Sequence, residues 1–293
     1  MSTSEPLRAR SETDEQGGRR DRQRPPAPEP LPHPVVDNHC HLDIADGDWL
    51  ETGEALDRAA EVNVTRIVQI GCDLPGAAWA VEAATSHDRI VAGVALHPND
   101  APRHADLDAA IAEIERLASS SERVRAIGET GLDNFRTGPE GKAAQVESFR
   151  RHIDLAKRLD KTLVIHDRDA HAEVLAVLDE EGAPDRWVMH CFSGDALFAR
   201  ACLDRGAWLS FAGTVTFKNA DDLRGAARIA PRDRILVETD APFLTPVPYR
   251  GRPNASYLIP HTMRMLAAVR NDDLGELCQA VDQGTETAFG GSW

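Results

Sequence analysis

Long apolar runs are missing from this chain: no stretch of about 18 consecutive apolar residues occurs, so nothing in it reads as a membrane span. Cysteine is scarce, and its five positions, Cys40, Cys72, Cys191, Cys202 and Cys278, form no C-x-x-C. An odd number in that arrangement argues against a disulfide framework and points to a reducing, cytoplasmic setting. No apolar core follows Arg19-Arg20, where Asp21-Arg22-Gln23 comes next, so an export signal is not expected. Positive charge is also short, with 33 Lys and Arg against 48 Asp and Glu, a net charge of −15 and a sequence pI of about 5.1. A protein that coats DNA non-specifically neutralises phosphates with surplus cations, and this chain has none to spare. An enzyme that meets one phosphodiester at a metal site is not excluded, because bound cations invert the local charge logic.

What is present is enough to fold. The chain has 293 residues, of which 42% are hydrophobic, sufficient for one large core. Residues 1–34 differ from the rest: rich in Arg, Glu, Ser and Pro, they hold six arginines against six acids and end in a proline-rich run. Few of them can pack, so 1–34 reads as a disordered tail closed by a stiff link, and 35–293 as the functional domain.

From Val35 onward, short β-branched or apolar runs recur eight times: Val35-Val36, then 66–70, 90–96, 124–127, 162–165, 187–189, 207–211 and 235–237. Between several of them lie stretches with helical spacing, such as 50–61, 107–117, 143–159 and 172–178. Strand, helix, strand, repeated eight times, predicts an α/β fold of the (β/α)8 TIM-barrel type. In such a barrel the active site gathers at the C-terminal ends of the strands. The chemistry-bearing residues follow the apolar runs in the same way. His39 and His41 follow the first, His97 the third, Glu129 the fourth, His166 the fifth, His190 the sixth, and Glu238 with Asp240 the eighth. The second and seventh runs contribute nothing ionisable at their tips. His39 and His41, two apart at a strand end, are expected on one face. Cys40 and Cys191, beside histidines, are expected to face the other way and pack.

Imidazole and carboxylate are the groups that divalent cations bind. His39, His41, Glu129, His166, His190 and Asp240 exceed the needs of one four-coordinate ion, so the set predicts two divalent ions, Mg2+, Mn2+ or Zn2+, bridged by Glu129. Imidazole donors suit zinc, manganese or iron better than magnesium. A pair of ions suits hydrolysis of phosphate esters. Glu129, Asp240, Glu238 and His97 are the expected catalytic residues, with Glu238 orienting a water or holding a ligand. His97, Arg168 and Asp133 are the expected substrate contacts, Arg168 through a bidentate hold on phosphate, and Asp37 is expected to orient a ligand histidine.

D-N-H-C-H-L-D, A-I-G-E-T-G-L-D, V-I-H-D-R, H-C-F-S-G and E-T-D-A-P-F-L, in this order, resemble the TatD family of metal-dependent deoxyribonucleases, and the likeness runs from Val35 to the C-terminus. The resemblance implies a TIM barrel, divalent metals on the six residues named above, and hydrolysis of phosphodiester bonds in DNA, often 3′ to 5′ on single strands. DNA, with RNA as a further option, is then the expected partner; neither a membrane nor an obligate protein partner is implied. Asn99 stands where the family often has a second histidine, Asn134 where it often has a first aromatic before Phe135, and Ala255-Ser256 where Glu-Pro is common. These departures bear on substrate preference. The alternatives are an aminoacyl-tRNA deacylase or another ester or amide hydrolase on the same barrel, and a metal-binding module without catalysis. Many amide hydrolases bridge their metals with a modified lysine where Glu129 stands here.

Overall fold

Eight parallel strands, laid side by side in sequence order, form the sheet of the computed structural model, which describes residues 5–13 and 17–293. They are β1 (Val35–Cys40), β2 (Val64–Gly71), β3 (Ile90–Val94), β4 (Val124–Asp133), β5 (Thr162–Arg168), β6 (Trp187–Met189), β7 (Trp208–Phe211) and β8 (Ile235–Val237). Helices follow most of them: α1 (Thr52–Ala60), α2 (Leu74–Ser86), α3 (Leu107–Ala118), α4 (Lys142–Arg158), α5 (His171–Glu181), α6 (Ala196–Leu203) and α7 (Asp221–Ile229), with α8 (Ile259–Arg270) and α9 (Leu274–Ala288) after β8. The repeat read from the sequence is therefore the observed one. A parallel strand needs a crossover back to its start, and a helix covers the sheet face as it makes that crossover.

The eight strands are nearly closed into a barrel. Where β1 meets β8 the join is made partly by side chains. Asn38 Nδ2 donates to Val237 O at 2.7 Å, and Thr239 donates to Asp37 through both its backbone N–H (2.9 Å) and its hydroxyl (2.5 Å). Backbone bonds from Asp240 N to His39 O (2.9 Å) and from His41 N to Ala241 O (2.8 Å) continue the seam into the loops above. The larger core lies between sheet and helices, with Trp79, Phe149 and Trp187 among its fully buried members, while Val36, Val68, Val91, Val164 and Val188 fill the barrel interior. Alternate residues of each strand supply the two cores, as the two-residue side-chain period requires.

Composition reads residues 1–34 as a disordered tail; the described part of that stretch is instead ordered against the barrel. Arg8–Ala9 forms a short parallel pairing with Ile44–Ala45. Arg20 holds the buried Asp46 with two nitrogens, at 2.6 and 2.9 Å. Leu31 enters the core, and Tyr257 Oη donates to Pro25 O at 2.7 Å. A segment with little apolar surface is fastened by charge-assisted hydrogen bonds to carboxylates buried elsewhere in the chain, a device that local composition does not reveal. Residues 1–4 and 14–16 of the expected tail lie outside the described residues.

Candidate metal centre

The strand ends carry the site. β1 places His39 inside the barrel mouth and His41 just beyond its last residue; their rings meet edge to face with centroids 5.0 Å apart. His41 Nδ1 lies 3.0 Å from Ile70 O, so this nitrogen donates, and Nε2 is turned inward, 3.3 Å from Asp240 Oδ1. An imidazole fixed in this way through one nitrogen presents the other to a cation. Gly131, at φ +142, lets β4 run close beside β5, since a Cβ there would stand 2.0 Å from His166 O. The approach sets Glu129 beside His166, and their ladder shifts register between Ile127 and Thr130, a bulge that re-aims the side chains between.

Glu129 is the centre of the arrangement. Its Oε1 lies 2.5 Å from His166 Nδ1, 3.3 Å from His190 Nε2 and 3.5 Å from His97 Nε2, while Oε2 faces His39 Nε2 at 3.5 Å. Among the described residues, three overlapping triads have donor atoms within 4.8 Å of one another: His39, His41 and Glu129; His39, His190 and Glu238; and His97, Glu129 and His166. Five of the six residues predicted as ligands stand in these triads, and the sixth, Asp240, meets them with Oδ1 3.3 Å from His41 Nε2 and 3.9 Å from His39 Nε2. His97, expected as a substrate contact, stands in the same ring of donors as His166, with ring centroids 4.5 Å apart.

Electrostatics follow from crowding. Burial alone would raise the Glu129 carboxyl, but the imidazoles of His190, His97 and His166 hold it well below the usual carboxylate range. Burial would lower His41 and His166, yet Asp240 lifts the first to about 9, and Asp133 with Glu129 lifts the second to about 9. His39 is pushed down by burial and by the neighbouring His190 ring, stacked at 3.5 Å between centroids.

A divalent ion fits this donor set. Both ring nitrogens of the fully buried His39, and Nε2 of His166, have no hydrogen-bond partner, although buried polar atoms almost always find one. A cation among Glu129, Asp240 and the imidazoles would take the lone pair of one nitrogen on each of these rings.

The remaining predicted residues have distinct places. Glu238, read as catalytic, is fully buried beneath His190, its Oε1 2.9 Å from that ring's Nδ1, and it accepts from Ser210 Oγ at 2.5 Å and Cys191 N at 3.0 Å. Enclosure suits holding the imidazole rather than touching a substrate or orienting its water. Asp133 is also buried; it lies 3.4 Å from His166 Nε2 and accepts from Asn99 Nδ2 at 2.8 Å, so it supports the ring and the loop. Arg168 lines the cleft, its guanidinium 3.9 Å above the Phe135 ring, which is 60% exposed. Asp37, expected to orient a histidine side chain, accepts instead from backbone N–H groups and Thr239 at the seam.

Two cysteines depart from expectation. Cys191 borders the cleft instead of packing behind its strand, because β6 ends at Met189 and alternation no longer applies beyond it. Cys72, at the tip of the second strand, puts Sγ 3.4 Å from Glu129 Oε2. Its place two residues past the apolar run 66–70 is the signal the sequence offers.

Above these groups opens a cleft of about 660 Å³, bordered by His41, His97, Glu129, His166, His190 and Asp240. A (β/α)8 barrel with imidazoles and carboxylates converging at its strand ends defines the class, a metal-dependent hydrolase. The family model described as TatD related DNase matches residues 36–290, and the chain belongs to the TatD family. It is 45% identical over 264 residues to an uncharacterized metal-dependent hydrolase TatD of Mycobacterium tuberculosis, covering 88% of this chain and 99% of that one. It is 40% identical over 248 residues to the uncharacterized metal-dependent hydrolase YcfH of Escherichia coli K12, covering 84% and 91%. The crystal structure of YJJV, a TatD homologue from Escherichia coli K12, superposes with a TM-score of 0.82 at 26% identity, covering 87% of this chain and 97% of that one. No helix among the described residues is long and apolar enough to cross a membrane.

Proposed function

We propose that the chain hydrolyses phosphodiester bonds in DNA, as a 3′ to 5′ exonuclease on single strands, with two divalent ions at the barrel mouth. The observation that carries this reading is Glu129. Its two oxygens face different imidazoles, Oε1 toward His166, His190 and His97 and Oε2 toward His39, the disposition of a bridging carboxylate. Divalent ions bound there would supply Lewis-acid polarisation of a phosphoryl oxygen and a water of lowered pKa. His39, His41, His166, His190, Glu129 and Asp240 would hold them. Asp240, bonded through its backbone N–H to His39 O, keeps its carboxylate beside His41 and at the cleft surface, where it can take a proton from the attacking water. Arg168 and His97 border the same cleft from the β5 and β3 sides and can bind the non-bridging phosphate oxygens. Phe135 offers a single face for a base to stack on.

Digestion of 3′-labelled and 5′-labelled single-stranded oligonucleotides tests it, with magnesium, manganese, zinc or EDTA and with the Glu129→Ala protein alongside. Metal-dependent ladders that shorten from the 3′ end and vanish in Glu129→Ala are expected. A protein that binds metal and cuts no phosphodiester would turn the assignment toward another ester, such as an aminoacyl-tRNA.

A further inference from the structure

The N-terminal stretch that precedes the family-matched region does more than cover the barrel: it reaches the cleft. Residues 7–10 are pinned there by Leu7 N donating to Asp43 O at 2.9 Å, by the pairing of Arg8 and Ala9 with Ile44 and Ala45, and by Arg10 N donating to Ala45 O at 2.8 Å. This strap puts Arg8 and Arg10 on the cleft wall beside His41, Phe243 and Asp240. Their side chains stay open to solvent, 40% for Arg8 and 30% for Arg10. The family model begins at residue 36, so these two arginines lie outside the family-matched region.

We propose that Arg8 and Arg10 form a phosphate-binding subsite, which holds the backbone phosphate of the nucleotide next to the scissile one in a single-stranded nucleic acid. The subsite rests on the nuclease reading above and deepens it.

Four observations support it. Arg10 is held over the Phe243 ring, 4.9 Å from guanidinium to centroid, and the same ring meets His41 edge-on at 6.3 Å, so the arginine stands one aromatic ring from the metal centre. Its positive charge is surplus to the fastening of the strap. Arg20 already grips Asp46 with two nitrogens, and Arg10 adds one contact to the same carboxylate at 3.3 Å and one to Pro242 O at 3.0 Å, both from Nη1. Arg8 is aimed by two carboxylates, Asp43 at 3.3 Å and Asp73 at 3.0 Å, each of which engages a single nitrogen. A guanidinium has five N–H donors in a fixed fork, and these contacts leave both arginines, among the described residues, with donor capacity on partly exposed groups. Across the cleft stand Arg136 and Arg168, so a chain carrying −15 overall has arginines on both walls of this one cleft. A polyanionic strand entering an otherwise acidic protein needs such a path.

The test compares substrates of two lengths in the full-length protein loaded with the metal that supports activity. A dinucleoside monophosphate has one phosphodiester and no flanking phosphate; a pentanucleotide has both. In the wild type, kcat/KM for the pentanucleotide should exceed that for the dinucleotide. In Arg8→Gln/Arg10→Gln that ratio should fall about 10-fold, carried by KM rather than kcat and with a shallower dependence on salt, because a charge-assisted phosphate contact has been removed. Arg8→Lys/Arg10→Lys, which keeps the charge, should recover most of it. A thermal melt of each variant separates loss of contact from loss of fold, and should the Gln pair melt early, the Lys pair against wild type carries the same comparison in smaller degree. An unchanged ratio in a folded Gln variant would overturn the subsite and leave the nuclease reading intact. A wild type that hydrolyses an aminoacyl ester but neither nucleotide would overturn both.

Discussion

Asp37 and Thr239, 202 positions apart, are bonded twice at the seam of the barrel, through the Thr239 hydroxyl at 2.5 Å and its backbone N–H at 2.9 Å. The next residue, Asp240, is thereby set against His41, so the same pair of bonds that closes the barrel registers its first strand against its last at the metal centre. Asp37→Ala should cost about 2 kcal/mol of stability, since it leaves a buried hydroxyl and N–H without an acceptor. Urea unfolding in EDTA, where no metal contributes, measures it. A loss under half that size would mean that the backbone bonds at the seam suffice.

Removing the central carboxylate should separate chemistry from folding. Glu129→Ala is expected to lose roughly 10²–10³-fold or more in hydrolysis and to bind fewer ions than wild type by elemental analysis. Its circular dichroism should stay native, because the strands around residue 129 are packed by other side chains. A variant that keeps both its ions and its rate would remove Glu129 from the bridging position.

Glu238 is expected to act through His190. Glu238→Gln keeps the volume but withdraws the charge that faces His190 Nδ1, and metal affinity should fall about 10–100-fold. KM for an oligonucleotide, measured at saturating metal, should change little. A raised KM with unaltered metal affinity would instead put Glu238 in contact with substrate.

His152 supplies a pH dependence away from the centre. It is fully buried on α4, its Nδ1 donating to Ser148 O at 2.7 Å and its Nε2 accepting from Leu96 N at 3.2 Å, and burial pushes it from 6.5 down to about 4. The folded chain therefore keeps it neutral while the unfolded chain takes up a proton between pH 6.5 and 4. Its stabilisation is complete above that window and is lost as pH falls through it. Asp37, pushed up by burial to about 6 despite its bonds from Thr239, acts in the opposite sense, since there the folded chain takes up the proton. The His152 contribution is thus read as a difference: wild-type stability minus that of His152→Gln should shrink by about 2 kcal/mol between pH 7 and pH 5. A difference independent of pH would show that His152 does not titrate as its burial requires.

Much of the site was legible because a parallel barrel has a rule of place. Once the eight apolar runs are read as strands, whatever follows each run must stand at the same rim, and His39, His41, Glu129, His166, His190 and Asp240 do. Cys72 falls under the same rule although the second run carries no carboxylate or imidazole at its tip; its sulfur is at the rim beside Glu129. Cys191 departs from it for the converse reason, because its strand ends at Met189 and period-two alternation does not reach it.

By itself the sequence determined the repeat of strand and helix, the rim on which the chemistry gathers and the residue types found there. Those are properties of periodicity and position along the chain, and they are local. The tertiary structure alone decided that Glu129 turns its two oxygens to different imidazoles, that Glu238 lies beneath His190, and that Arg8 and Arg10 stand at the cleft. Each of these depends on which distant segment packs against which, as β8 does against β1 and residues 7–10 against 43–45. The strap is the clearest instance. Its own residues carry too little apolar surface to order it, and its order comes from backbone bonds to residues 43–45 and from the buried Asp43, which takes Arg8 as partner, while Arg20 fastens the following stretch to the buried Asp46.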